Sequence, residues 1–158
     1  MAMLRADLRQ LGAAGLATQG SIGSDDPAFE GLTLELLGPV EVDGRLRAAE
    51  GDNYVWQGRI VARVAGECRR CLGRAEQHVD TEVTLLFSAD PELADDPSVY
   101  QLPSDPSTID LAEAVREELV LRVSAFPLCT EECRGLCPHC GADLNAGPCG
   151  CTAAGTNH

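Results

Sequence analysis

The sequence predicts an α+β fold: an antiparallel β-sheet or partial barrel with one packed helix and a C-terminal cysteine segment like a zinc ribbon. Two stretches, 54–66 and 79–87, alternate apolar and polar residues with the period of a strand. A later stretch, 111–123, repeats apolar residues at helical spacing. Six of the eight cysteines lie between Cys129 and Cys151, with too little apolar sequence among them to build a core. A metal or disulfides must therefore hold that segment together.

The two alternating stretches predict a pair of long antiparallel strands joined by the turn ECRRC. The residues expected to face inward from the first strand are Tyr54, Trp56, Ile60, Ala62 and Val64. Those expected to face inward from the second strand are Val79, Thr81, Val83, Leu85 and Phe87. His78 falls on the opposite face and is therefore expected at the surface.

Shorter strands are expected over 32–48. Leu32, Leu34 and Leu36 alternate before Gly38-Pro39 interrupts the pattern. Val40, Val42 and Leu46 then follow, and Asp43-Gly44 between them is typical of a tight turn.

The expected organisation has four parts. Residues 1–28 form a flexible N-terminal arm, in which Met3 to Leu11 could make a short helix. Residues 29–127 form a β-rich core that includes a loop over 88–107, rich in Asp and Pro. Residues 128–151 bind metal, and residues 152–158 are a tail.

The helix is predicted to begin after Asp110, which is a good N-cap and has Glu113 three positions on. Its apolar stripe is expected to pack on the sheet and consists of Leu111, Val115, Leu119 and Val123. Pro127 requires the helix to end by about Ala125-Phe126, since the residue before a proline disfavours helical conformation.

The cysteine spacings favour metal over other chemistry. Cys137 and Cys140 are separated by two residues and followed by Gly141, which suits a zinc knuckle, and Cys149-Gly-Cys151 is a tighter clip. These four cysteines predict one site. The other predicted site joins Cys68 and Cys71 to Cys129 and Cys133. We expect two structural Zn²⁺ ions, one of which fastens the C-terminal segment to the β-rich part.

Alternatives remain open from the residues. The eight thiols could form disulfides, which would require an oxidising compartment. Cys68 and Cys71 could be a redox-active pair, although the βαβ context of that motif is absent. Iron could replace zinc, or the C-terminal four could hold metal while Cys68 and Cys71 stay free. His139 is expected to face solvent rather than to bind metal.

The chain is strongly acidic, with a formal net charge of −13, and all twelve basic residues are arginine. A charge of this sign disfavours general nucleic-acid binding and suits a basic partner. Five of the arginines lie within 59–74, whereas 76–118 holds twelve acids and one base. Such stripes are most often solvated faces, but this one permits an arginine patch beside the ECRRC turn.

Several classes are excluded by the sequence. No apolar run has the length of a membrane helix, and Arg5, Asp7 and Arg9 interrupt the N-terminus where a signal peptide would be apolar. We therefore expect a cytoplasmic protein with no membrane contact. There is no glycine-rich phosphate loop, so no nucleotide is expected, and no nucleophile–base pair is evident.

The run IDLAEAVREELVLRVSAFPLCTEECRGLCPHCGADLN, with ECRRCL upstream of a strand, resembles the YceD family of large ribosomal RNA subunit accumulation proteins. The resemblance covers roughly residues 30–151. It implies a role in accumulation or processing of the large-subunit rRNA without an assigned catalytic reaction. Some members keep the CxxC pair and lack most of the C-terminal cysteines.

The expected function is therefore a non-catalytic ribosome biogenesis factor that supports 23S rRNA accumulation or processing. Its partners would be the pre-50S particle, through large-subunit rRNA or a basic ribosomal protein. The candidate RNA contacts are Arg69, Arg70 and Arg74, beside the CxxC turn. The alternatives are a thiol–disulfide oxidoreductase that uses Cys68 and Cys71, and a zinc-ribbon adaptor of another machine.

Overall fold

A computed structural model describes residues 4–151 of the chain, and a mixed β-sheet forms its centre. The single α-helix within these residues packs on the sheet, so the predicted α+β class is confirmed. In chain order the elements are β1 (Arg5–Asp7), β2 (Leu16–Ile22), β3 (Glu35–Leu36), β4 (Val40–Ala48), β5 (Asn53–Glu67), β6 (Arg74–Ser88), β7 (Val99–Gln101), β8 (Thr108–Asp110) and α1 (Leu111–Arg122).

The β5–β6 hairpin organises the sheet. The two strands have 15 residues each and pair antiparallel without interruption, from Asn53 opposite Ser88 to Glu67 opposite Arg74. Alternation buries one face, including Trp56 and Ile60, and exposes the other. The predicted hairpin, with the cysteine turn at its tip, is therefore confirmed.

The remaining strands extend the sheet in the order β2-β4-β5-β6-β7, and β3 pairs with the C-terminal half of β5. β2, β4, β5 and β6 are antiparallel to their neighbours, whereas β7 is parallel to β6. β1 and β8 form a separate two-stranded pair. Within the described residues the main path is open between β2 and β7, so the predicted partial barrel is not confirmed.

The turn predicted at Asp43-Gly44 is wrong, because both residues lie inside the continuous strand β4. Gly44 serves packing instead: a Cβ there would lie 2.5 Å from Cζ2 of Trp56. The indole ring occupies that space, and its Nε1 donates a 2.7 Å hydrogen bond to Oγ1 of Thr18 on β2. The glycine therefore makes room for the largest buried side chain.

The N-terminal region differs from the expected arm. The short helix expected between Met3 and Leu11 is wrong within the described residues, since Arg5–Asp7 is strand β1 and a single 3₁₀ turn follows it. Strand β2, Leu16–Ile22, pairs along its whole length with β4. Residues 16–22 are thus part of the main sheet, and residues 5–7 are part of the two-stranded pair with β8. Residues 1–3 and the predicted tail 152–158 lie outside the described residues.

Helix α1 begins as predicted, because the carboxylate of Asp110 accepts a 3.0 Å hydrogen bond from the backbone N–H of Ala112. Leu111, Val115 and Leu119 are fully buried in the same apolar core as Trp56. Val123 caps the C-terminus. At twelve residues α1 is too short to cross a membrane, and residues 4–151 contain no other helix long and apolar enough to do so.

The acidic loop is more ordered than its composition indicates. Residues 99–101 form β7 at the edge of the sheet, next to the end of β6. Pro91–Leu93 makes a 3₁₀ turn that Asp90 caps through the N–H of Glu92.

Candidate metal centres and the adjoining arginine surface

The eight cysteines gather into two groups at one end of the hairpin. Cluster 1 contains Cys68 and Cys71 from the β5–β6 turn, together with Cys129 and Cys133 from the segment that follows α1. Cluster 2 contains the four remaining cysteines, Cys137, Cys140, Cys149 and Cys151. Within each cluster the four Sγ atoms all lie within 4.8 Å of one another. The structure therefore brings together the same two sets that the spacing predicted, and either could hold a metal ion.

The sulfur separations in cluster 1 fit a shared ion. The Sγ atoms of Cys68 and Cys133 are 3.7 Å apart, and those of Cys71 and Cys129 are 3.6 Å apart. A disulfide would need about 2.05 Å. Zn–S bonds of about 2.3 Å in a tetrahedron place neighbouring sulfurs about 3.8 Å apart. The donor set thus has the chemistry and the spacing of a four-thiolate site for a tetrahedral metal ion.

The two CxxC turns have the same backbone form. In cluster 2 Gly141 follows the second cysteine at φ +78°, and its N–H donates to the carbonyl of Cys137 over 2.9 Å. The N–H of His139 also donates to Sγ of Cys137 over 3.4 Å. In the β5–β6 turn Leu72 follows the second cysteine at φ +62°, and its N–H donates to the carbonyl of Cys68 over 2.9 Å. Glycine suits this left-handed position, whereas leucine is strained there.

The electrostatics divide each cluster into thiols that ionise readily and thiols that do not. The backbone N–H of Cys71 lowers the pKa of Cys68 to about 6, against the effect of burial. The backbone N–H of Cys140 likewise lowers the pKa of Cys137 to about 6. The side chain of Cys140 raises the pKa of Cys151 to about 12. Four thiolates this close repel one another, and a divalent cation would remove that repulsion.

Arg70, in the hairpin turn, forms hydrogen bonds to the C-terminal segment that carries the other half of cluster 1. Its guanidinium Nη1 donates to the carbonyl oxygen of Cys133 over 3.0 Å and to that of Glu131 over 3.4 Å. Its own carbonyl accepts the N–H of Leu136 over 3.2 Å. Gly135 passes directly beside this contact at φ +76°, where a Cβ would lie 3.1 Å from the Arg70 oxygen. Arg70 is therefore committed to holding the C-terminal segment.

Two interactions between the clusters were not predicted from the sequence. Asn145, in the loop of cluster 2, donates from its side chain to Sγ of Cys133 over 3.3 Å. The N–H of Leu144 donates to the carbonyl of Gly135 over 2.9 Å. An asparagine in a glycine-rich loop gives no sequence signal for such a role, because the loop must fold back before the contact exists.

The positive charge of the arginine-rich stretch 59–74 is partly neutralised in the folded chain. Arg59 pairs with Asp80 through Nε at 2.6 Å, and Arg63 pairs with Glu76, because the antiparallel register places the acids of β6 beside the arginines of β5. The guanidiniums lower the pKa of both carboxyls. Arg69, Arg70 and Arg74 remain, all exposed and at the tip of the hairpin. The charge segregation seen along the chain is thus partly cancelled by strand pairing.

The histidines lie where the sequence analysis expected them. The side chains of His78 and His139 are both exposed. The two metal-competent groups found within residues 4–151 consist of cysteines alone.

An antiparallel hairpin whose turn shares one four-thiol cluster with the C-terminal segment, beside a second such cluster, defines a class of small cysteine-rich protein that could hold two metal ions. Residues 56–158 match the family described as "Large ribosomal RNA subunit accumulation protein YceD". The chain therefore belongs to the YceD family, as its resemblance predicted.

Curated relatives come from mycobacteria. An uncharacterized protein of Mycobacterium tuberculosis is 34% identical over 129 residues, which cover 77% of this chain and 61% of the relative. An uncharacterized protein of Mycobacterium leprae is 28% identical over 131 residues, which cover 77% of this chain and 59% of the relative. The chain thus spans about three fifths of the length of these relatives. No solved structure matches it.

Proposed function

We propose that this chain is a cytoplasmic, non-catalytic factor for the accumulation of large-subunit rRNA, held in shape by two structural Zn²⁺ ions. The observation that carries the proposal is the family match over 56–158, which includes both CxxC turns. The family description supports the role in large-subunit rRNA accumulation. The zinc ions, the partner contacts and the absence of catalysis are our proposal.

The donor sets support zinc. Each cluster offers four thiols, which would occupy all four positions of a tetrahedral coordination sphere. No position would remain for a substrate or an activated water. Cluster 1 would be held by Cys68, Cys71, Cys129 and Cys133, and cluster 2 by Cys137, Cys140, Cys149 and Cys151. When bound, each ion supplies cross-linking of chain segments rather than chemistry. Native mass spectrometry of the purified chain should find two zinc ions; iron, or one ion alone, would contradict this part.

The proposed RNA contact lies at the tip of the hairpin, with Arg69, Arg70 and Arg74 exposed there. Guanidinium groups donate well to phosphate oxygens. Arg70 already donates to two carbonyls of the C-terminal segment, so its replacement would disturb cluster 1 as well. Arg69 and Arg74 are therefore the informative positions.

Co-sedimentation with large-subunit precursor particles tests the proposal. The zinc-loaded chain should sediment with these particles at low salt and dissociate as salt rises, as phosphate contacts do. The double variant Arg69→Ala/Arg74→Ala should bind more weakly. A matched control is Arg45→Ala/Arg47→Ala, which also removes two positive charges but from strand β4. Equal binding by the two double variants would refute the arginine contact, and no sedimentation of the wild type would refute the function.

A thiol–disulfide oxidoreductase is the second candidate, because the pKa of Cys68 is lowered to about 6 by the backbone N–H of Cys71. Burial opposes it: Cys68 is fully buried and faces Cys133. Alkylation of the native zinc-loaded chain separates the two functions. Protection of all eight cysteines supports the structural role, whereas rapid labelling of Cys68 or Cys71 supports the oxidoreductase.

A zinc-ribbon adaptor of some other machine would also have filled clusters. It differs in its partner, so affinity capture from lysate under low salt distinguishes it. Recovery of another machine without large-subunit particles would favour the adaptor.

A further inference from the structure

An exposed aromatic ring lies beside the hairpin tip. Phe126 is 62% exposed, although phenylalanine is normally buried, and Cζ of Arg69 lies 4.3 Å from the centroid of its ring. This distance is typical of a cation–π contact. The ring and the guanidinium together present a flat, cationic surface to solvent.

The position of this pair is fixed by the backbone. The N–H of Arg69 donates to the carbonyl of Pro127 over 2.9 Å. The N–H of Phe126 donates to Oγ of Ser124 over 3.1 Å. Ser124 exchanges two hydrogen bonds with the side chain of Gln77 on β6. The ring is therefore held between the sheet and the cysteine turn before any partner arrives.

Leu72 adds a second exposed apolar group to the same place. It is 57% exposed and adopts φ +62°, a left-handed conformation that is unfavourable for leucine. Leu72, Phe126 and Arg69 line one open groove of about 490 Å³. The CxxC turn accounts for the backbone conformation of Leu72, but its exposed side chain contributes little to the core and is available to a partner.

The charge around the groove selects the occupant. Arg69 and Glu67 are the charged residues of the groove lining, and Arg70 and Arg74 are exposed beside it on the same turn and strand. None of the three arginines forms a salt bridge with any residue between 4 and 151, so the surface around the groove is net positive. An occupant with an apolar flat face and negative charge fits this surface. A basic segment of a ribosomal protein would be repelled by the arginines. Unpaired RNA offers both features, because its bases can stack while its phosphates meet arginine.

We infer that the groove between the β5–β6 turn and the segment after α1 binds an unpaired nucleotide of RNA, with its base against Phe126. Arg69 lies over one face of the ring, so the base would stack on the other face. Leu72 contacts the base or its sugar, and Arg74 is available for a phosphate. The inference rests on the proposed function and narrows it. The chain would recognise single-stranded or looped RNA rather than duplex, because a duplex exposes no base face to stack.

Fluorescence anisotropy with the full zinc-loaded chain tests this. The probes are a labelled ten-nucleotide single-stranded oligouridine and a labelled ten-base-pair RNA duplex. The single strand should bind more tightly. Phe126→Ala should weaken its binding about 5- to 100-fold, which corresponds to the loss of one stacked base, while Phe126→Trp should keep it. Weak duplex binding, which depends on charge alone, should change little in either variant.

Leu121→Ala is the matched control, because Leu121 is 75% exposed but lies on α1. It should bind both probes like the wild type. Equal affinity of Phe126→Ala and wild type for the single strand would overturn the inference, as would an equal loss in the Leu121 variant. If that happens while the wild type still sediments with large-subunit precursors, the proposed function survives. If Phe126→Ala instead loses a ribosomal protein from the particle and keeps RNA binding, the groove is a protein site and the inference is wrong.

Discussion

The side-chain amide of Asn145 donates to Sγ of Cys133 over 3.3 Å and so connects the two cysteine clusters. Asn145 lies in the loop between Cys140 and Cys149 of cluster 2, whereas Cys133 belongs to cluster 1. Its Oδ1 accepts the backbone N–H of Arg134 over 2.9 Å, which fixes the orientation of the amide. The contact lowers the pKa of Cys133 and favours the thiolate that a metal requires.

Replacing Asn145 should weaken metal binding at cluster 1. Hydrogen bonds to ligand atoms are worth about 10- to 100-fold in metal affinity, so Asn145→Ala should release zinc from cluster 1 at about tenfold lower chelator concentration. Alkylation during partial chelation, followed by peptide mapping, shows which cluster opens. Cys68 and Cys133 should be labelled earlier than in the wild type.

Asn53→Ala is the control for that experiment, since Asn53 also forms side-chain hydrogen bonds but at the opposite end of β5. It should leave the order of metal release unchanged. Identical labelling of cluster 1 in the Asn145 variant and the wild type would show that the contact has no energetic role.

Removal of metal should unfold the C-terminal segment before the sheet. The buried residues around cluster 1 form a small group, Cys68, Ala75 and Cys133, that is separate from the main apolar core. Apart from hydrogen bonds such as those of Arg70, residues 128–151 have few buried apolar contacts, so the proposed ions would supply most of their stability, because metal-binding energy is folding energy in so small a unit. Hydrogen exchange after chelation should rise there first and stay low in β4 and β5. Loss of protection in all regions together would contradict the separation.

Gly135→Ala should loosen the C-terminal segment more than Gly141→Ala. Both glycines have positive φ, +76° and +78°, so both variants incur the cost of the left-handed conformation, about 1–2 kcal/mol. Only Gly135 also faces a neighbour, with a Cβ 3.1 Å from the carbonyl oxygen of Arg70, whereas Gly141 has open space. Thermal melting of the zinc-loaded variants should therefore rank Gly135→Ala as less stable. The reverse ranking would mean that the contact with Arg70 yields easily.

Gly44→Ala should destabilise the whole sheet. The added methyl group would overlap the indole ring of Trp56, and overpacking of this kind costs about 1–3 kcal/mol. Urea denaturation followed by the fluorescence of Trp56, the single tryptophan, measures the effect. Gly38→Ala is the control, because nothing lies within 4 Å of its Cβ position. Similar midpoints for the two variants would refute the packing role of Gly44.

The ion pair between Arg59 and Asp80 should make stability depend on pH in a defined direction. The hydrogen bond from Arg59 lowers the pKa of Asp80 from its ordinary 3.8, so ionisation stabilises the folded chain. The contribution is complete well above pH 3.8 and is lost as pH falls through the lower folded value. Asp80→Asn should therefore be less stable than the wild type at about pH 6, and the difference should be smaller at a pH below 3.8.

Urea midpoints at the two pH values check this, with Glu50→Gln as a control carboxylate that has no salt bridge within residues 4–151. The pair is exposed, so the difference is expected to be small. A difference between wild type and Asp80→Asn that grows as pH falls would contradict the assigned sign.

Much of the fold could be read from the chain because its signals are local. Alternation along β5 and β6 is strong enough to fix which face is buried, and Asp110 marks the start of α1 by its own side chain. The failures are non-local. β2 contains buried Thr18 between Ala17 and Gln19 and has no clear alternation, so only its partner β4 makes it a strand. Gly44 follows Asp43 and so gives a turn signal in the sequence. Its presence within β4 is explained only by the indole ring of Trp56 on the neighbouring strand.

The sequence by itself determined the two sets of thiols and the hairpin that carries one of them, because spacing limits which cysteines can share an ion. Tertiary structure decided what surrounds them. It placed the side chain of Asn145 against Cys133, and that of Arg70 against the carbonyl of Cys133. It also paired the positive charges of Arg59 and Arg63 with acids of the next strand. These depend on distances between residues far apart in the chain. Such distances exist only once strand register and the folded-back segment are set.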